Sequence, residues 1–361
     1  MKSTYSRQTG SHRLIGGGAF TFNIDFDPKK ISYGASYDNN QLHSSCFVGH
    51  VNELVDHLLI ARNIRNSRIL EIGCGQGEFL RRLVENPDTG NVGFGFDPSY
   101  VGPADDLDGR LHFESSYFTS KNQGIDADAI ICRHLIEHIP DPADLLLAIM
   151  NALRKSPKAK VFIETPCVEW IFNNNAIWDF FYEHCSYFSA SSLTNALAAA
   201  GFAVEYISHV FGDQYLWVEA GLGRPSRSLS TRENIKMVKQ AKRFGITENR
   251  LTERLVTMMT SYKRERDKIA IWGAAAKGVT LVNLVDPNHQ LVECLVDINP
   301  NKQGCFVPGT GHPIRSFTEM PLLGVKTAFI INPNYYRENF ELIKANRIDL
   351  KLMNIEMDHE H

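Results

Sequence analysis

Hydrophobic positions in this chain fall into two blocks of similar design. In the first, short apolar runs at 68–72, 92–96, 129–133 and 160–164 read as buried strands. The segments between them, at 78–85, 142–153 and 191–200, carry their apolar residues at helical spacing. Two more strands are expected at 202–211 and 214–220. Ahead of this block, Phe47, Val48, Val51, Leu54, Val55, Leu58 and Leu59 follow the 3.6-residue period of one more helix. Strands separated by helices at this spacing predict a parallel, doubly wound α/β sheet.

The second block opens at Lys268-Ile269-Ala270-Ile271-Trp272-Gly273, a strand running into a glycine turn, with further strands expected at 291–297, 327–331 and 350–354. Between the blocks, 221–231 has the Gly, Pro and Ser content of a linker, and 231–267 is helix-rich with Lys and Arg on its exposed side. Residues 1 to about 30 are polar and glycine-rich, which predicts a loose arm. The expected organisation is an arm at 1–44, a first α/β domain at 45–222, a helical linker region at 223–267 and a smaller α/β domain at 268–361. The two α/β halves look alike only in architecture.

Composition narrows the class. The 361 residues are 43% hydrophobic and 22% charged, enough for two ordinary globular cores. A net charge of -3 argues against a nucleic-acid partner, which would call for a basic excess. The seven cysteines are scattered without a C-x-x-C pair, so reduced thiols are expected, and neither a structural zinc nor any other metal. No apolar run reaches 18 residues and the N-terminus has no apolar export segment. A cytoplasmic protein that spans no membrane is therefore expected.

The chemistry begins at Glu71-Ile72-Gly73-Cys74-Gly75-Gln76-Gly77, placed between a strand and a helix. Gly73 and Gly75 permit a tight turn and a close backbone approach to a ligand. A dinucleotide fingerprint would read G-x-G-x-x-G; here an acid precedes the glycines, which repels a pyrophosphate and suits a cation. S-adenosylmethionine carries both a sulfonium and an ammonium. Asp97 ends the next strand, 24 positions after Gly73, where an acid can accept hydrogen bonds from ribose hydroxyls. Over about 45–220 the chain resembles class I S-adenosylmethionine-dependent methyltransferases. That resemblance implies a Rossmann-like fold and cofactor contacts from Glu71, Gly73, Cys74, Gly75, Gly77, Asp97, Pro98, Arg133 and His134.

Two later segments sharpen the resemblance. One is Trp178-Asp179-Phe180-Phe181-Tyr182-Glu183-His184-Cys185-Ser186-Tyr187-Phe188-Ser189; the other runs from Gly273-Ala274-Ala275-Ala276-Lys277-Gly278 through Asp297-Ile298-Asn299-Pro300-Asn301-Lys302-Gln303-Gly304 and Val307-Pro308-Gly309-Thr310 to Asn332-Pro333-Asn334-Tyr335. Together they resemble the sugar C-methyltransferases, which methylate nucleotide-linked 4-ketosugars at C3 in deoxysugar and polysaccharide pathways. The resemblance implies a second Rossmann-like α/β domain and a ketosugar nucleotide lying between the two domains. It places the proton-removing base at His184 beside Glu183, and a further family histidine at His138. It also implies substrate contacts from Gly273, Lys277, Gly278 and Asn334. The family tyrosine falls on Phe181 and its first histidine on Tyr182, so Tyr182 is a candidate to replace the lost phenol. The four-cysteine zinc module with which family members often begin is not found here.

The residues support that chemistry independently. A carbon beside a ketone becomes nucleophilic once its proton is removed and the enolate oxygen is stabilised. A histidine suits the first task near neutral pH, and His138 or Tyr37 are candidate donors for the second. Two other readings remain open: O-methylation of a sugar or another small hydroxylated substrate, and a non-catalytic sugar-nucleotide or cofactor-binding protein.

Overall fold

The computed structural model describes residues 12–15, 20–31, 41–119, 122, 126–153, 156–223 and 231–355. In chain order, the first strands are β1 (His12–Ile15), β2 (Phe20–Asn23), β3 (Arg68–Ile72), β4 (Val92–Phe96), β5 (Asp105–Asp106) and β6 (Leu111–Glu114). They are followed by β7 (Ala129–Arg133), β8 (Lys160–Pro166), β9 (Ser186–Tyr187), β10 (Phe202–Val210) and β11 (Tyr215–Leu222). The helices of this half are α1 (Ser45–Asp56), α2 (Glu78–Val84), α3 (Pro142–Ala152), α4 (Val168–Asn173) and α5 (Ala190–Ala199).

Eight of these strands form one sheet in the order β10-β11-β8-β7-β3-β4-β6-β5. The four expected central strands are present and parallel. The expected sheet is not parallel throughout, because β11 runs antiparallel to both β10 and β8. Only residues 211–214 separate β10 from β11, and a parallel crossover needs a dozen or more residues. Phe211, Gly212 and Asp213 all adopt positive φ to make that turn. β6 carries only four residues of alternating burial, too short a signal to stand out in the sequence.

The N-terminal segment is more than a loose arm. β1 pairs with β2, and β2 pairs with β9 in a small three-stranded sheet. Phe20 packs edge-on against Phe188 at 5.4 Å, and Asn23 N donates to Cys185 O at 3.0 Å. The pairing brings this segment against the stretch that carries His184.

The second unit comprises β12 (Lys268–Trp272), β13 (Cys294–Val296), β14 (Ile314–Arg315), β15 (Val325–Ile330) and β16 (Lys351–Asn354). Their order is β14-β13-β12-β15-β16, parallel at every pairing. The remaining helices are α6 (Thr231–Arg264), α7 (Ala276–Val285), α8 (Met320–Leu323) and α9 (Tyr336–Ala345).

The region expected as a linker contains α6, a single 34-residue helix. Met237, Phe244, Leu251, Leu255 and Met259 are buried at helical spacing along it. Phe244 lies 5.3 Å from Phe172 and 5.2 Å from Phe180 in the first unit, while Tyr262 lies 5.5 Å from Phe329 in the second. The helix is thus a spine packed against both units, and it fixes the cleft between them.

Candidate active site

The first glycine loop leaves the carboxyl end of β3. Gly73, Gly75 and Gly77 have φ of 75°, 55° and 80°, a region costly for other residues. Gly77 caps α2 with its backbone alone, and a Cβ there would meet the Phe113 ring at 2.5 Å. A Cβ on Gly75 would meet nothing within 4 Å, so that backbone faces open space. Asp97 Oδ2 accepts from Gly75 N at 2.8 Å, and its Oδ1 accepts from Ser99 N at 2.8 Å. Asp97 therefore splints the loop, in addition to any ribose it receives. Cys74 is buried, and burial holds its thiol protonated far above the ordinary range. Pro98 continues the chain out of β4, and its carbonyl accepts from Ser115 Oγ at 3.4 Å.

Glu71 tests whether the loop fits a cationic cofactor. Its side chain is buried, and Oε2 has no hydrogen-bond partner among the described residues. Burial pushes its carboxyl up to about 8, against the opposing pull of Arg133. A buried carboxylate oxygen without a donor, beside an open glycine backbone, suits the ammonium of S-adenosylmethionine. Glu71, Gly75 and Asp97 are the residues that would hold it.

At the end of β7 the chain enters a buried ionic cluster. Glu164, fully buried on β8, accepts from His50 at 2.5 Å and from Arg133 Nε at 2.8 Å, and lies 3.3 Å from His134 Nε2. Burial opposes charge on His134, but Glu164 and Glu137 outweigh it and raise the imidazole to about 9. The same cations hold Glu164 well below the carboxylate range against its own burial. Arg133 also lies over the Phe79 ring at 4.1 Å. Arg133 and His134, expected at the cofactor, thus have protein partners, and His134 faces the cavity described next.

That cavity lies between the two units. Its walls include His134, Glu137, His138, Asp179, Phe181, Glu183, His184 and Tyr215 from the first, and Gly273, Lys277, Gly278 and Asn299 from the second. His184 is 6% exposed, its ring centroid 4.0 Å from Phe181 and 4.7 Å from His138. Burial, with His138, His134 and Lys277 nearby, depresses His184 well below the ordinary histidine value. The imidazole is therefore neutral at neutral pH, as a base must be before it acts. His138 Nδ1 lies 3.1 Å from the backbone carbonyl of Glu183.

Tyr182 does not replace the phenol absent at Phe181. Its hydroxyl accepts from Asp27 N at 2.8 Å and donates to Asp25 O at 3.1 Å, drawn toward the N-terminal segment that follows β2. Tyr37 lies outside the described residues. Tyr215, which the sequence does not single out, lines the cavity together with Tyr335, its ring 4.6 Å from His134 and stacked 5.2 Å from Phe211. Its burial on β11 hid it, because one aromatic in an apolar strand looks like core.

The second unit repeats the first loop's geometry, a likeness deeper than shared architecture. Gly273 N donates to Val296 O at 2.7 Å, as Gly73 N does to Phe96 O at 2.8 Å. Asp297 follows Gly273 by the same 24 positions, takes Ala274 N on Oδ2 at 2.9 Å and Asn299 N on Oδ1 at 2.8 Å. Gly278 has no room for a side chain, since a Cβ would sit 1.8 Å from Gly273 O. Lys277 crosses to the first unit and pairs with Asp179 at 2.5 Å. Asn334, expected at the substrate, is instead a tether: its Nδ2 donates to Phe211 O at 2.7 Å across the units. Beside it, Asn332 Nδ2 donates to Gln214 Oε1 at 2.9 Å.

Residues 48–207 match the family described as a methyltransferase domain, and 227–341 match the C-methyltransferase C-terminal domain. The C-methyltransferase NovU of Streptomyces niveus is 27% identical over 195 residues, 51% of this chain and 46% of that protein. A ubiquinone biosynthesis O-methyltransferase of Aeromonas salmonicida is 29% identical over 103 residues, 27% of this chain and 42% of that one. The matches span about half the length of these relatives. Among solved structures, the Burkholderia thailandensis 1,6-didemethyltoxoflavin-N1-methyltransferase with bound S-adenosylhomocysteine is 19% identical, with a TM-score of 0.39, covering 59% of this chain and 99% of that one.

Proposed function

We propose, on the premise that this chain joins a methyltransferase domain to a C-methyltransferase C-terminal domain, that it is an S-adenosylmethionine-dependent enzyme methylating C3 of a nucleotide-linked 4-ketosugar. The observation that carries this reading is His184: a buried, neutral imidazole in a cleft walled by both domains. A hydroxyl acceptor needs no second glycine–acid turn facing such a base, whereas a sugar nucleotide offers a ribose and phosphates to it. His184 takes the C3 proton, and the C–H electron pair becomes the enolate. The cofactor, which Glu71, Gly75 and Asp97 would hold, would supply an electrophilic methyl on sulfur for the enolate carbon to take, with the sulfur leaving as a neutral thioether.

The enolate oxygen requires donors. The cavity offers the Lys277 ammonium, held by Asp179, and the Tyr215 phenol, which burial keeps protonated. Gly273, Gly278 and Asp297 shape the face available to the nucleotide. The similarity to a ubiquinone biosynthesis O-methyltransferase keeps O-methylation as the second reading. The test is mass spectrometry of products from S-adenosylmethionine and a panel of nucleotide 4-ketosugars. It is joined by deuterium uptake at C3 without the methyl donor, which only carbon methylation predicts. Uptake is expected, and is lost in His184→Asn. A product methylated on oxygen with no C3 exchange refutes the reading.

A further inference from the structure

The buried polar atoms at the cavity wall without a hydrogen-bond partner among the described residues include His184 Nδ1 and Glu137 Oε1. One is a donor in the right tautomer and the other an acceptor. One ring nitrogen each of His138 and His184 and one carboxylate oxygen of Glu137 lie within 4.8 Å of one another. Glu137 is 1% exposed, so bulk water does not satisfy it. Thr165 Oγ1 donates to its Oε2 at 2.9 Å, and Cys185, next to His184 in sequence, donates Sγ to its carbonyl at 3.4 Å. These contacts anchor Glu137 against the histidine segment. Glu183 contributes to the pair through its backbone carbonyl, at His138.

We propose that Glu137 is the positioning residue for His184: it accepts Nδ1–H and leaves Nε2 to take the substrate proton. The inference rests on His184 being the base. A neutral imidazole has two tautomers, and only the one protonated on Nδ1 presents a lone pair from Nε2. When Nε2 gains the C3 proton, the imidazolium stands among His138, His134 and Lys277, all cationic when protonated. Glu137 is the acid beside it, as well as 3.7 Å from His134; Asp179, paired with Lys277, and Glu183, Asp297 and Glu338 are the further acids at the cavity wall. No bond to the protein forms or breaks beyond that proton transfer.

The test is nitrogen-15 NMR of the full chain, labelled at histidine and saturated with S-adenosylhomocysteine, with His184→Asn assigning the resonance. Wild type is expected to show His184 protonated on Nδ1, and Glu137→Gln to shift the ring largely to the Nε2–H form. This readout needs no sugar substrate, so it stands or falls apart from the proposed reaction. With a turned-over ketosugar, Glu137→Gln should slow C3 exchange about 10²-fold, within the range for a mispositioned base, and Glu137→Asp should recover part of it. S-adenosylhomocysteine affinity within twofold of wild type shows the fold to be intact. An unchanged tautomer in Glu137→Gln overturns the proposal. So does activity removed by a chelator and restored by a divalent cation, which would make the three residues metal ligands.

Discussion

Replacing Glu164 by Gln is a stringent test of the buried cluster, because one carboxylate there faces His50, Arg133 and His134 without solvent. Removing one side of a buried ion pair strands the other and costs roughly 3–5 kcal/mol. At roughly 2–4 °C per kcal/mol, the first unit should melt about 10 °C lower. Its pH dependence should change as well. His134 rises from 6.5 to about 9 in the folded chain, so the stability it contributes is full below 6.5, declines as pH rises, and is gone above about 9. At 1.36 kcal/mol per pKa unit, that decline is worth about 3 kcal/mol. Glu164, held below its ordinary value, reports the same interaction from the other side and is counted once; it begins to fail only in acid. Thermal melts of wild type and Glu164→Gln at pH 6, 7.5 and 9.5 measure both effects. Wild type should lose stability between pH 6 and 9.5, and the variant should lose much less. A variant that melts within 2 °C of wild type at pH 6, or keeps the full alkaline decline, refutes the reasoning.

Three further outcomes are expected. Because burial raises Glu71 to about 8, binding a cationic cofactor at neutral pH should release close to one proton and tighten as pH rises toward 8. Calorimetry in buffers of different ionisation enthalpy checks this, and Glu71→Gln should abolish the Glu71 share of that release. Gly278→Ala drives a Cβ into the Gly273 carbonyl at 1.8 Å, which should destabilise the second unit by about 1–3 kcal/mol while S-adenosylmethionine affinity is unchanged. Phe244→Ala removes the α6 ring packed on Phe172 and Phe180. A loss of about 3–5 kcal/mol is expected, read by urea unfolding, with hydrogen exchange rising along α6.

The strands most legible in the sequence were those buried on both faces. Runs such as Arg68–Ile72 and Ala129–Arg133 are apolar because helices cover both sides of a parallel sheet, and the structure has them where the pattern put them. The short strands β6 and β5 at one end of the sheet, and the pairing of β1 with β2, are not legible in the sequence, since two to four residues carry too little periodicity. At the candidate site, Glu71, the three loop glycines and Asp97 stand out in the sequence by spacing, and His184 by the family resemblance of its segment. Glu137, Tyr215 and Glu164 resembled ordinary core residues. Each lies inside an apolar segment, where a polar side chain gains meaning only from the partner opposite it.

What the sequence determined by itself is local: a turn that admits only glycine, an acid at a strand end, an apolar face repeated at the period of its element. These follow from backbone sterics and from the removal of apolar surface from water, both of which act between near neighbours. The tertiary structure alone decided which distant groups meet. Tyr182 is the phenol the sequence offers, and Tyr215 reads there as core; packing turned the first toward Asp25 and set the second in the cavity. Lys277 is a lysine at a glycine turn until α6 holds the two units together and Asp179 faces it. Sequence separation gives no measure of such pairings, because they depend on how whole elements dock.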